Sequence, residues 1–217
     1  MYNLIVKELK LGVHPFFFFM PLLTGALMLI PGWLYFLVPL YFCFITVPNM
    51  FAGYKSQNDL LFTGMLPVTK NDVVKARVSV VVILEMLHIV IAIIFGIISI
   101  RLYPDLIYYF FSPTWGFWGL CFVMLAVFNF IFISMYFKTA YKYGAAAFAS
   151  IIAAILFAAG AEWLSISNSF VFELFKGTGA DRLGVQLAIL IVGIAIFAIF
   201  TIAAYHIAIK RFEKVEL

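Results

Sequence analysis

Between Val185 and Ile209 the chain carries no Asp, Glu, Lys or Arg, and its centre, Ala188 to Phe197, reads AILIVGIAIF. An apolar run of this length is what a bilayer's hydrocarbon core, ~30 Å thick, requires of an α-helix. Its residues do not alternate as a transmembrane β-strand would. Five further runs precede it: about Pro15 to Ile30, Trp33 to Phe51, Val78 to Tyr103, Trp115 to Phe137 and Ala145 to Trp163. Of the 217 residues 66% are hydrophobic and 11% charged, against ~45–50% and ~25% in a soluble domain. Six spans of ~20 residues leave no room for a separate soluble catalytic domain. The expected fold is an all-α integral membrane protein, one domain over residues 1–217 with six transmembrane helices.

The basic residues give the direction. The net charge is +4, but Lys and Arg are scattered between apolar runs, with no stripe suited to nucleic acid. One set of connections holds Lys7, Lys10, Lys55, Lys70, Lys75, Arg77, Lys138, Lys142, Lys210, Arg211 and Lys214; the other holds Arg101, Lys176 and Arg182. Cytoplasmic loops retain the excess of positive charge, which puts both termini in the cytoplasm. Trp33, Trp115, Trp118 and Trp163 fall at the opposite ends of their spans, as an interfacial aromatic belt would. The first run ends in Leu29-Ile30-Pro31-Gly32, without a small-x-small cleavage pattern, so it reads as a retained span closed by a Pro31-Gly32 turn. Ahead of it Tyr2, Ile5, Leu9 and Val13 recur at helical spacing opposite Asn3, Lys7 and Lys10, the pattern of an interfacial helix. Ser169 is placed to cap an outer-face helix with Phe170, Val171, Leu174 and Phe175 on one side and Glu173 and Lys176 on the other.

Catalytic patterns are sparse. The loop Gly177 to Gly184 lacks dinucleotide-binding spacing, and no P-loop occurs, so any ATP and Mg would be bound by a partner. No His-Glu-x-x-His pair is present, and Cys43 and Cys121 lie inside apolar runs, so the sequence offers no metal set and calls for no cofactor of its own. Glu85 and His88 share one helix face inside the third run, Glu85 about 10 Å from its cytoplasmic end at ~1.5 Å per residue. Two readings stand: a protonated Glu85 bonded to His88 or a neighbouring helix, or a functional intramembrane pair, extended by His206 to a membrane-embedded enzyme. The fifth run carries Ala145, Ala149 and Ala153 on one line and Ala146, Ser150, Ala154 and Ala158 on the next, suited either to a dimer or to an intrabundle seam.

The connection from Ala52 to Arg77 is the most informative stretch. Ser56 and Asp59 are placed to cap a short helix ending near Gly64; Pro67 then breaks the chain, and Thr69 with Asp72 forms a capping box for the third span. The short helix holds Leu60, Leu61 and Phe62 out in a polar loop, where apolar groups need a covering surface. An acidic residue with a Leu-Leu pair, then Leu66-Pro67-Val68-Thr69-Lys70 and Val73-Val74-Lys75-Ala76-Arg77, between spans two and three of a small six-span chain, resembles the ABC-2 type permeases of bacterial ABC exporters. The pattern is most similar to the permeases of phenol-soluble modulin exporters, although Lys70 stands where Arg is common.

The resemblance implies a non-catalytic permease of the bacterial cytoplasmic membrane. It would be paired with a second copy or a sister permease, driven by two ATPase subunits, and would export amphipathic peptides or hydrophobic antimicrobial compounds. It also implies a coupling helix seated in the ATPase, with contacts from Asn58, Asp59, Leu60, Leu61, Phe62, Met65, Leu66 and Pro67, and a second contact from Lys138, Tyr141 and Lys142. A carrier or scaffold that works without an ATPase is the remaining alternative.

Overall fold

A computed structural model describes residues 2–104, 110–139, 142–175 and 182–215. They form helices α1 Tyr2–Gly12, α2 Phe16–Leu29, α3 Leu37–Ser56, α4 Asp59–Gly64, α5 Lys70–Leu102, α6 Trp115–Thr139, α7 Tyr143–Ser167, α8 Ser169–Phe175 and α9 Leu183–Phe212, with no strand among the described residues. Five of these, α3, α5, α6, α7 and α9, are long and apolar enough to cross a membrane.

The first expected span departs from this pattern. α2 has 11 α-helical and 3 3₁₀ residues, about 20 Å at ~1.5 Å each, which is short of the hydrocarbon core. It reaches crossing length only together with α1, which meets it at 71°. The bend lies at the chain break before Pro15, which disfavours the helical region for His14, and Val13 ahead of it is extended at φ −104°, ψ 117°. The second span also shifts, opening at Leu37 rather than Trp33 and running on to Ser56, while the third begins at Lys70 rather than Val78. That early start is fixed by the expected capping box: Thr69 Oγ1 accepts from the Asp72 amide at 3.1 Å, and Asp72 accepts from the Thr69 amide at 3.2 Å.

Small residues set the interior spacing. α6 and α9 cross where Gly119 meets Gly193; a Cβ on Gly119 would stand 2.5 Å from the Ile189 carbonyl oxygen, and one on Gly193 would strike the Gly119 backbone. On α7 the line Ala146, Ser150, Ala154 and Ala158 is buried inside the bundle while Ala145 is exposed, so the second alanine line is the intrabundle seam. Trp118, expected in the aromatic belt, is only 1% exposed and packs against Gly96. α8 is capped by Asn168, whose side-chain oxygen accepts from the amides of Phe170 and Val171 at 3.0 and 3.3 Å; Ser169, expected in that role, is its first helical residue.

Both described ends of the chain meet at one end of the bundle. Lys7 of α1 pairs with Asp59 of α4, Lys70 donates to the carbonyls of Glu213 and Val215 at 3.2 and 2.7 Å, and Arg211 donates to the Ser134 carbonyl of α6. This end, which holds Lys7, Lys70 and Arg211, is the basic end of the bundle.

Candidate functional site at the basic end

α4 is reached through a tight reversal. Ser56 closes the last turn of α3, its hydroxyl donating to the Gly53 carbonyl at 2.9 Å, and Asn58 then takes a left-handed conformation at φ 52°, ψ 32° that Asn tolerates better than most residues. The expected capping by Ser56 and Asp59 is therefore replaced by a backbone turn. The Asp59 carboxylate is used elsewhere. One oxygen accepts from Lys7 and the other from Arg77 at 2.6 Å. Lys7 also donates to Glu8 at 3.1 Å and to Thr63 at 2.8 Å, and Arg77 donates to the Tyr136 hydroxyl at 2.9 Å while lying over the Tyr54 ring at 4.5 Å. α1, α3, α4, α5 and α6 each contribute a side chain to this one network.

Burial sets its electrostatics. Arg77 and Glu8 are each 1% exposed. An ion removed from water this thoroughly is tolerated only when opposite charge and hydrogen bonds replace its hydration. For Asp59, burial pushes the carboxyl upward, but the Lys7 hydrogen bond and the charges of Arg77 and Lys7 outweigh it and hold the group below its ordinary value. Asp59 is thus an anion at neutral pH, clamped between two cations.

The remaining α4 residues divide into two sets. Leu60, expected on the exposed face, is buried beneath the helix, because the bonds of Asp59 turn that side of the first turn inward. Leu61, Phe62 and Met65 are exposed at 49%, 54% and 81%, Asn58 and Pro67 are exposed, and Leu66 is half-buried. Lys138 and Lys142 are exposed at the junction of α6 and α7, and Tyr141 lies outside the described residues.

The intramembrane candidates do not form one cluster. Glu85 accepts from the Asn129 amide of α6 at 2.9 Å; His88 instead contacts the Val38 carbonyl of α3 at 2.9 Å and the Thr24 hydroxyl of α2 at 3.1 Å. Neither bonds to the other in this arrangement. His206 is exposed on α9, and among the described residues no group of three or more His, Cys, Asp or Glu side chains is placed to hold an ion.

Glu8, Tyr54, Tyr136 and Asn129 were not singled out from the sequence, and Arg77 was named there only as a basic residue of the connection and the end of its motif. Arg77 carried a usable signal, because its neighbours three and four positions away on both sides are Val73, Val74, Val80 and Val81, the surroundings of a buried helix position.

A helical bundle with several membrane-length helices, gathering its basic connections at one end, is a multi-pass membrane protein. The chain matches the family of ABC-2 family transporter protein over residues 3–213 and belongs to it. No curated protein and no solved structure matches. Family membership makes this chain the membrane permease component of an ABC transporter, a transport subunit and not a catalyst, and implies an ATPase partner.

Proposed function

We propose that the chain is the permease of an ATP-driven exporter in the bacterial cytoplasmic membrane, working with two ATPase subunits and a second copy or sister permease. The observation that carries this reading is the two-sidedness of α4: one side is clamped to α1 and α5 through Asp59, and the other offers Leu61, Phe62 and Met65 uncovered beyond the spans. A helix exposed outward and held fast inward is suited to pass a push from an ATPase into the bundle. Lys138, Tyr141 and Lys142 supply the second contact, both termini face the cytoplasm, and ATP with Mg is held by the ATPase. The exported class, amphipathic peptides or hydrophobic antimicrobial compounds, follows from the likeness of the 56–77 segment to phenol-soluble modulin exporters.

Replacing Leu61, Phe62 and Met65 together by Asp tests the coupling role and spares the buried Leu60. Apolar anchors at an interface contribute ~2 kcal/mol or more each, so ATPase co-purification and peptide export should both be lost while the chain remains inserted. Unchanged association would refute the role. Orientation is checked separately with single cysteines at positions 55, 142 and 176 and an impermeant thiol reagent on intact cells; only position 176 should label.

We read Glu85 as a packing group. Its Oε2 accepts from the Asn129 amide of α6, and the neutral, protonated acid keeps that bond between two spans without placing a charge in lipid.

A further inference from the structure

A cavity of about 150 Å³ opens between the end of α3, α4 and α6, lined among others by Tyr54, Lys55, Asn58, Leu61, Arg77 and Tyr136. One of its lining side chains, Arg77, is 1% exposed and has a hydrogen-bonding atom, Nε, without a partner; the Tyr54 hydroxyl turns away toward Glu8 and Gly12 of α1. The Arg77 Nε can only donate, and what it lacks is an acceptor. Lys55 is exposed at the rim and makes no ion pair with the described residues. Of the two cations in the cavity wall, Arg77 is matched by Asp59 and Lys55 is left unmatched.

We propose that this cavity receives the carboxylate of an Asp or Glu side chain from the ATPase subunit. A carboxylate brings one negative charge and up to four acceptor positions, which answers both the unmatched Lys55 and the idle Nε of Arg77. The source is a protein side chain because the rim is continuous with the uncovered apolar row. Leu61 lines the cavity and leads onto Phe62 and Met65, so the surface that covers those residues carries its own side chains to the opening. The inference rests on reading α4 as the ATPase seat and adds the chemistry of the partner's anchor.

The test is carbodiimide coupling in membranes that hold the assembled complex, since this reagent joins a carboxylate to an amine only when the two are in contact. The expected product is an amide between Lys55 and an Asp or Glu of the co-purified ATPase, identified by mass spectrometry of the joined peptides. Lys55→Arg keeps the charge but offers no reactive amine, so association and export should persist while the product disappears. Lys55→Glu should weaken association at least tenfold. An ATPase that co-purifies without any Lys55 coupling overturns the inference and leaves the α4 reading standing. An ATPase that does not depend on Leu61, Phe62 and Met65 for co-purification overturns that reading instead. Lys55 shielded from an amine reagent by phosphatidylglycerol vesicles, and not by the ATPase, would reassign the cavity to a lipid phosphate.

Discussion

Arg77 and Glu85 lie on the same helix, α5, about 12 Å apart along its axis at ~1.5 Å per residue, and both are fully buried, yet they are held in opposite ways. Arg77 sits at a junction of charge, with Asp59 opposite it, the Tyr136 hydroxyl on a second nitrogen and an aromatic ring across its face. Glu85 has a single neutral partner, the Asn129 amide. The first arrangement joins a loop helix to the bundle; the second joins two spans, α5 and α6, through one neutral hydrogen bond. Buried polarity is therefore read here by its partners and by the elements that those partners belong to, and not by depth alone.

Breaking the charged junction should have the largest effect. Asp59→Ala leaves Lys7 and Arg77 without their shared anion, and removing one partner of a buried pair costs about 3–5 kcal/mol. A lower unfolding midpoint in detergent and loss of ATPase association are the expected results. Replacing the pair together, Asp59→Leu with Arg77→Met, should be milder than the sum of the single changes, because it leaves one fewer orphaned charge. Additive losses would mean that the two residues do not act as a unit.

The intramembrane pair should separate by charge. Glu85→Lys puts an ammonium in the bundle at a cost of roughly 2.5–3.5 kcal/mol and should lower the yield of inserted protein. Glu85→Gln keeps one donor and one acceptor toward Asn129, and should stay within about 1 kcal/mol of the parent with near-normal transport in vesicles. Abolished transport at normal expression would instead make Glu85 a group that must gain and lose a proton.

The smallest effect is the pH dependence of the junction. Because the Asp59 carboxyl is held below its ordinary 3.8 in the folded chain, its contribution is complete above that value and is lost only as pH falls through the lower, folded value. The difference in unfolding midpoint between the parent and Asp59→Asn should stay constant from pH 7 to about 5 and narrow below about 4. A difference that already narrows between pH 7 and 5 would show that Asp59 is not clamped by its cations.

Much of the plan was legible in the residues. The apolar runs marked out the membrane helices because a bilayer demands length and the absence of charge, both of which are linear properties. The Thr69 and Asp72 box was legible because its partners are three residues apart. Leu60 was misread for the converse reason: its burial depends on Lys7, 52 positions from Asp59 in sequence, which draws α4 down onto the bundle. Trp118 was misread in the same way, since an aromatic side chain near a span end reaches lipid or the interior according to what faces it, here Gly96 of α5.

By itself, then, the sequence determined that this chain crosses a membrane, where its long helices lie, which connections carry the positive charge and which loop has an uncovered apolar helix. Those properties depend on composition and on spacings of a few residues. Only the tertiary structure decided that α1 and α2 meet at 71° and reach crossing length only together, that Gly119 and Gly193 let α6 and α9 touch, and that Arg77 is a buried junction instead of a loop cation. Each of these depends on groups distant in the chain meeting in space, and no local pattern specifies the partner.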